Sequence, residues 1–304
     1  MTESLILLVA LLVAPVILLF AFAGCVGEDP RLAELEKKVA EQDKEKAEQE
    51  KKETEEAEAA KYDSIVKNAP NLVSYWRLDD GVPETGDTKA KDSAPVAPLD
   101  GEYNHLLAIS RGQTGALNSD PQNKAVDFLG TEGYVEVPYD GLRNPPFSFS
   151  VEVWMKPALS TSDPQVMIGS YELDGGNLVR GFVLDMLHSP APRVRARLGN
   201  GSASPAALEA SLGDGSEHQG WRHVVMTYSG ASKTLTLYVN ADDGKPDAQA
   251  AGVIYTPVTG TTTPLRIAAG QHEGVAAGLL APGSLSRYFA GRLDEVALYR
   301  EALD

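Results

Sequence analysis

Between about residues 68 and 304 the sequence breaks into short apolar-rich runs separated by Gly, Pro, Asn and Asp. The runs are 72–78, 125–129, 134–137, 147–155, 179–186, 193–198, 222–228, 234–239, 265–268 and 288–299. In SVEVWM (Ser150 to Met155) and TLTLYV (Thr234 to Val239) apolar and polar residues largely alternate, the period-2 signature of a strand with one buried face. Ten or more such strands with turn punctuation, and almost no helical periodicity, predict an all-β sandwich. At about 235 residues the segment is long enough to bury a core of its own.

The N-terminal part has two other compositions. From Leu5 to Val26 the chain is apolar and uncharged over about 22 residues, roughly 33 Å as a helix, which matches a bilayer core. Pro15 would kink such a helix, which membranes tolerate. Two readings of residues 1–30 stand: an uncleaved membrane helix, or a bacterial lipoprotein-type signal in which Cys25, the only cysteine, is the lipidation site after Phe22-Ala23-Gly24. The first is favoured because residues 2–4 carry no Lys or Arg and the run exceeds a signal's apolar region of about 7 to 15 residues. Either of these leaves the chain anchored to a membrane by its N-terminus; a plain cleaved signal is the third and least favoured alternative.

Residues 31–67 begin with RLAELEKKVAEQDKEKAEQEKKETEEAEAAKY, which has no Gly or Pro and is rich in strong helix formers. Glu34–Lys38 and Glu48–Lys52 stand at i,i+4 in the favourable order. Leu32, Leu35 and Val39 sketch one heptad, but the next seam positions, Gln42, Lys46, Gln49, Glu53 and Glu56, are polar. A charged, solvated helical stalk follows, with homo-oligomerisation through it as an alternative. Its eight Lys or Arg would place it inside by the positive-inside rule, against the extracytoplasmic location favoured below.

Composition excludes several classes. With 27 Lys plus Arg against 43 Asp plus Glu, the net charge of −16 opposes nucleic-acid binding. A single cysteine rules out an internal disulfide framework and a cysteine-cluster zinc site, and the five histidines show no HExxH spacing.

Six motifs then occur in order: NLVSYWRLDD (71–80), KDSAPVAPLDGEYN (91–104), AVDFLGTEGYVEVP (125–138), FSFSVEVWMKP (147–157), GWRHVVMTYSGASKTLTLYVN (220–240) and YFAGRLDEVALYREALD (288–304). Together they resemble a laminin-G-like domain of the concanavalin A-like lectin/glucanase superfamily. The resemblance implies a jelly-roll sandwich of two antiparallel sheets, displayed outside the cell to recognise a carbohydrate or a protein. It also implies that Trp76, Trp154 and Trp221 pack in the core and that His223 is structural.

Some superfamily members hydrolyse glycans with carboxylates at i, i+2 on one strand, and no such set is visible here. Glu172 and Asp174 run into a Gly-Gly turn, Glu152 has no carboxylate at i±2, and Asp294 and Glu295 are adjacent and so should face opposite sides of a strand. GxSxG is absent. The resemblance implies instead a structural Ca²⁺, an ion that takes hard oxygen ligands, at Asp92, Asp100 and Asp294. In this sequence SAPVAPLD replaces the family's usual short Asp-Ser-Gly-Asn loop. Tyr139, Tyr171, His188, His218 and His272 are the loop residues with recognition chemistry, and they form no cluster in sequence. The expected protein is a membrane-anchored, non-catalytic binding module. A structural subunit of a cell-surface or virion assembly comes second, and a glycoside hydrolase is disfavoured.

Overall fold

The computed structural model describes residues 30–81, 87–118, 120–158, 164–174, 176–213, 220–240, 244–260, 263–271 and 285–303. The chain divides into two units, Met1–Thr54 and Glu55–Asp304. In the first, the described residues belong to helix α1 (Pro30–Asn68), whose C-terminal turns fall in the second unit. Proline suits the first position of a helix, where its missing N–H has no partner to lose. The Glu34–Lys38 pair forms at 3.0 Å and Lys46–Glu50 at 3.7 Å, all four side chains exposed. Val39, the end of the apolar heptad, is 54% exposed. Among the described residues no helix is long and apolar enough to cross a membrane. The apolar run 5–26, with Cys25, lies outside the described residues, as do His218 and His272.

After α1 come β1 (Leu72–Trp76), β2 (Lys89–Ala90), β3 (Gly101–Asn104), β4 (Ile109–Thr114), β5 (Lys124–Leu129), β6 (Tyr134–Val137), β7 (Phe149–Pro157), β8 (Gln165–Asp174) and β9 (Asn177–Leu187). There follow β10 (Arg193–Leu198), β11 (Ala206–Ser211), β12 (Arg222–Ser229), β13 (Thr234–Val239), β14 (Ala248–Ala250), β15 (Leu265–Ile267), β16 (Gly270–Gln271), β17 (Leu285–Ser286) and β18 (Ala290–Tyr299). One sheet runs β14-β13-β12-β7-β18-β5-β4, with β1 also paired to β18. The other runs β11-β10-β9-β8-β15-β6-β3-β2. The two antiparallel sheets form the predicted sandwich, and the alternation explains it. Phe149, Val151, Val153 and Met155 of β7 face inward with Val224 and Met226 of β12 and Leu235 and Leu237 of β13. They meet Phe182, Leu184 and Met186 of β9 and Val194, Ala196 and Leu198 of β10 across a core from which water is excluded.

The periodicity misses two kinds of strand. β8 (QVMIGSYELD) is buried at every position but the last, so both of its faces read alike and no alternation shows. β4 (ISRGQT) has half-buried and exposed positions only and lies at the end of its sheet, where small polar residues suffice.

The expected core role holds for Trp76, which is fully buried and donates its indole N–H to the Leu99 carbonyl at 3.1 Å. It fails for Trp154 and Trp221, which are only half-buried. Trp154 alternates with inward Val153 and Met155, so it points out of the sandwich. Asp294 and Glu295 also depart from expectation, since both are fully buried. The register between β18 and β7 slips between Asp294 and Ala297, and Glu295 takes φ +50°. This bulge breaks the alternation that would have separated the two carboxylates.

Candidate functional site: the outer face of the β7–β12–β13–β14 sheet

On the outer face of the first sheet, inward apolar residues alternate with hydroxyls. Thr227 and Ser229 of β12 lie opposite Thr236 and Thr234 of β13, and Thr236 lies opposite Gln249 of β14. The Gln249 amide donates to Thr236 Oγ1 at 3.2 Å. Residues Glu301 to Leu303 fold over this face: Ser150 Oγ donates to the Glu301 carbonyl at 2.8 Å and accepts from Leu303 N at 2.9 Å. Asn71 fixes the Glu301 carboxylate at 2.8 Å. The result is an open groove of about 500 Å³, floored by these hydroxyls and the amide and edged by Tyr238 and Glu301. Ser, Thr and Gln offer donors and acceptors in fixed array, and Tyr238 adds an amphipathic ring. Such a lining suits a polyhydroxylated ligand. The motif reading passed over it, although T-x-S on β12 facing T-x-T on β13 was the available signal.

Beside the groove lies a buried carboxylate. Glu152 Oε1 accepts from the Tyr62 hydroxyl at 2.8 Å and contacts His223 Nε2 at 2.7 Å, while Oε2 accepts from Tyr299 at 2.6 Å. Burial works to raise this carboxyl, but the hydrogen bond and charge of His223, with the two phenols, hold it below the usual range. Trp154 stacks on His223 with centroids 4.8 Å apart and donates its indole N–H to the Tyr62 oxygen at 2.9 Å. His223 is therefore structural, as expected, but on the outer face. With both oxygens occupied and Tyr62 and Val66 of α1 packed over this face, Glu152 has no opening to a substrate.

The three calcium candidates do not share a site of oxygen ligands. Asp92 Oδ1 accepts from Tyr75 N and Ala94 N, and Oδ2 from Leu99 N and the Arg143 guanidinium at 3.2 Å. Asp100 accepts from Asp92 N at 2.9 Å and pairs with Lys91 at 2.9 Å, so it braces the same loop. Asp294 accepts from Ala116 N at 2.7 Å and Glu295 N at 2.9 Å, and burial together with the Glu295 charge raises its carboxyl well above the usual range. Carboxylates filled by N–H donors and cations, or favoured in the neutral form, do not fit Ca²⁺. Among the described residues no group of three His, Cys, Asp or Glu could hold a metal ion. What the sequence marks as a calcium loop is a loop closed by Asp92 and Arg143.

Of the loop candidates, Tyr171 lies inside β8, buried with Leu173 and Leu178, and donates no surface chemistry. Tyr139 and His188 are half-buried and neither lines the groove.

The chain is similar in structure to domain 4 of an extracellular arabinanase from Geobacillus stearothermophilus, with 17% identity, 77% of this chain and 94% of that chain covered, and a TM-score of 0.45. It is similar to the CBM40 of a Ruminococcus gnavus IT-sialidase, with 16% identity, 52% and 79% covered, and a TM-score of 0.40. It is also similar to a pentraxin from Limulus polyphemus, with 16% identity, 53% and 68% covered, and a TM-score of 0.37. No curated protein matches the chain. The family model of a laminin-G domain matches residues 129–304, more than half of the sequence, and the chain belongs to the concanavalin A-like lectin/glucanases superfamily.

Proposed function

We propose that this protein is a non-catalytic carbohydrate-binding module, tethered to a membrane by residues 1–30 and facing the extracytoplasmic side. The observation that carries the reading is the groove of hydroxyl and amide groups on Thr227, Thr234, Thr236 and Gln249, walled by Tyr238 and Glu301. Sugar hydroxyls would exchange their water hydrogen bonds for this preformed set, and the Tyr238 ring would cover an apolar sugar face. The chemistry supports a binding role over hydrolysis. Glu152, on β7 beside β12, is buried and fully hydrogen-bonded, so it is a poor acid or nucleophile. The apolar run 5–26 and Cys25 support the anchor.

A glycan array probed with the full chain in detergent tests the reading. Saturable binding that weakens about tenfold in Thr236→Val or Tyr238→Ala supports it. Binding that both variants leave unchanged removes the groove from the reading, and release of reducing sugar from a bound glycan would replace it with a hydrolase.

A further inference from the structure

The floor of the groove is made by the sheet, but one side of it, Glu301 to Leu303, follows β18 and belongs to no strand. A chain end outside the ladder frays unless other bonds hold it. Two residues supply those bonds. Asn71, between α1 and β1, adopts φ +60°, a left-handed conformation that Asn and Asp tolerate better than other side chains. With the backbone so turned, its carbonyl accepts from Arg300 N at 2.8 Å and its side-chain amide donates to Glu301 Oε2 at 2.8 Å. Ser150 of β7, fully buried, holds the segment from the sheet side, donating to the Glu301 carbonyl at 2.8 Å and accepting from Leu303 N at 2.9 Å. Leu303 in turn packs against the cluster of Val66, Tyr75, Ala297 and Tyr299.

Neither Asn71 nor Ser150 lines the groove, yet both decide where its wall stands. The position of that wall bears on affinity for a physical reason. A wall already fixed need not be ordered when a ligand arrives, whereas a frayed one must be, and that ordering weakens binding. Of the four hydrogen bonds that hold the segment, only the one from the Asn71 amide to the Glu301 carboxylate joins two side chains. It can therefore be removed, or reversed, with the main-chain bonds left in place.

We infer that Asn71 is a positioning residue of the groove: its side chain holds Glu301, and through it the C-terminal wall, in the place where a glycan is received. This assignment rests on the carbohydrate-binding reading of the groove. It also ties the groove to the end of α1, because Asn71 lies between that helix and β1 and because Leu303 shares a cluster with Val66. Seating of the helix end and binding in the groove are then coupled, each favouring the other.

Asn71→Asp tests it, since Asp tolerates the same backbone but sets a second carboxylate against that of Glu301. The full chain in detergent is read in two ways, by hydrogen exchange of the peptide that carries Leu303 and on the glycan array. Faster exchange in that peptide is expected, with a signal about tenfold weaker for the glycans that the wild type binds. In the reversed pair, Asn71→Asp with Glu301→Gln, the Gln amide can donate to the Asp carboxylate, and slow exchange should return, which a general loss of stability would not allow. If Asn71→Asp does not fold, Asn71→Gly, which keeps the backbone and deletes only the amide, gives the same two readings. Unchanged exchange in the single variant, or no recovery in the reversed pair, overturns the assignment whatever the array shows. Faster exchange with an undiminished array signal overturns it too, and leaves the floor of the groove as the site. A wild type that binds no glycan on the array removes the carbohydrate reading itself, and the role given to Asn71 with it.

Discussion

The Tyr62 hydroxyl donates to Glu152 at 2.8 Å across 90 residues of sequence, joining the end of α1 to the outer face of β7. Val66 is buried with Tyr75, Ala297 and Tyr299 in the same contact. The last turns of α1 thus become part of the sandwich unit, and the sequence changes to suit: YDSIVKNAP (62–70) carries the Tyr, Ile and Val that DKEKAEQEKK (43–52) lacks.

Tyr62→Phe removes one hydrogen bond to a buried carboxylate and leaves the Trp154 indole without its acceptor. A loss of about 2 kcal/mol is expected in urea unfolding. Trp154 fluorescence should shift to the red as water reaches the indole. An unchanged midpoint would show that the helix end adds no stability to the sheet.

Stability should also depend on pH in two opposite senses. Burial pushes Glu295 up to about 7, even though Arg77 and the Tyr75 hydroxyl pull it down. Burial likewise lifts Asp80 to about 6, against a hydrogen bond from Tyr103. For both groups the folded state prefers the proton, so their contribution is full below the ordinary carboxylate range and is lost as pH rises through about 6 and 7. Glu152 is held below its usual range, so its contribution is present above that range and is lost as pH falls through its folded value. The melting temperature should therefore peak near about pH 5 and fall on either side. Glu295→Gln should flatten the alkaline limb near pH 7. A wild-type melting temperature that is level from pH 5 to 8 would contradict this assignment.

The loop closed by Asp92 yields a third test. Arg143 is 2% exposed and Asp92 fully buried, and Arg143 also donates to Ser74 at 2.9 Å and to the Ala97 carbonyl at 2.7 Å. Arg143→Met would strand a buried carboxylate, at a cost of about 3–5 kcal/mol. Because this guanidinium already supplies the positive charge, Ca²⁺ or EDTA should leave the wild-type melting temperature unchanged. A rise with millimolar Ca²⁺ would mean that a cation site exists outside the donors described.

Much of this was legible in the sequence, and the failures share a cause. Alternation identified β7, β12 and β13 because one face of each is apolar and the other is not. The resemblance implied calcium ligation at Asp92, Asp100 and Asp294, whereas Asp92 and Asp294 are buried and their oxygens are taken by N–H donors. It could not supply Arg143, which lies 51 residues from Asp92 and turns a cation-ligand position into an ion pair. The groove was illegible for a related reason: it is assembled by strand pairing, and Thr227 meets Thr236 and Gln249 only through register. Asp294 and Glu295 misled because a bulge at φ +50° suspends the period-2 rule at that one step.

The tryptophans give the sharpest contrast between motif and environment, since all three stand on strands or turns of the same family pattern. Trp76 is fully buried among Val73, Leu78 and Phe128 of the core, so Trp76→Ala should open a cavity and cost about 3–5 kcal/mol. Trp154 faces outward and contributes a stack on His223 and one hydrogen bond to Tyr62. Trp154→Ala should cost only about 1–2 kcal/mol, most of it shared with Tyr62→Phe because both remove the same bond. A double variant should therefore be less destabilised than the sum of the singles. Additive losses would mean that Trp154 and Tyr62 act independently and that the helix end is held by Glu152 alone.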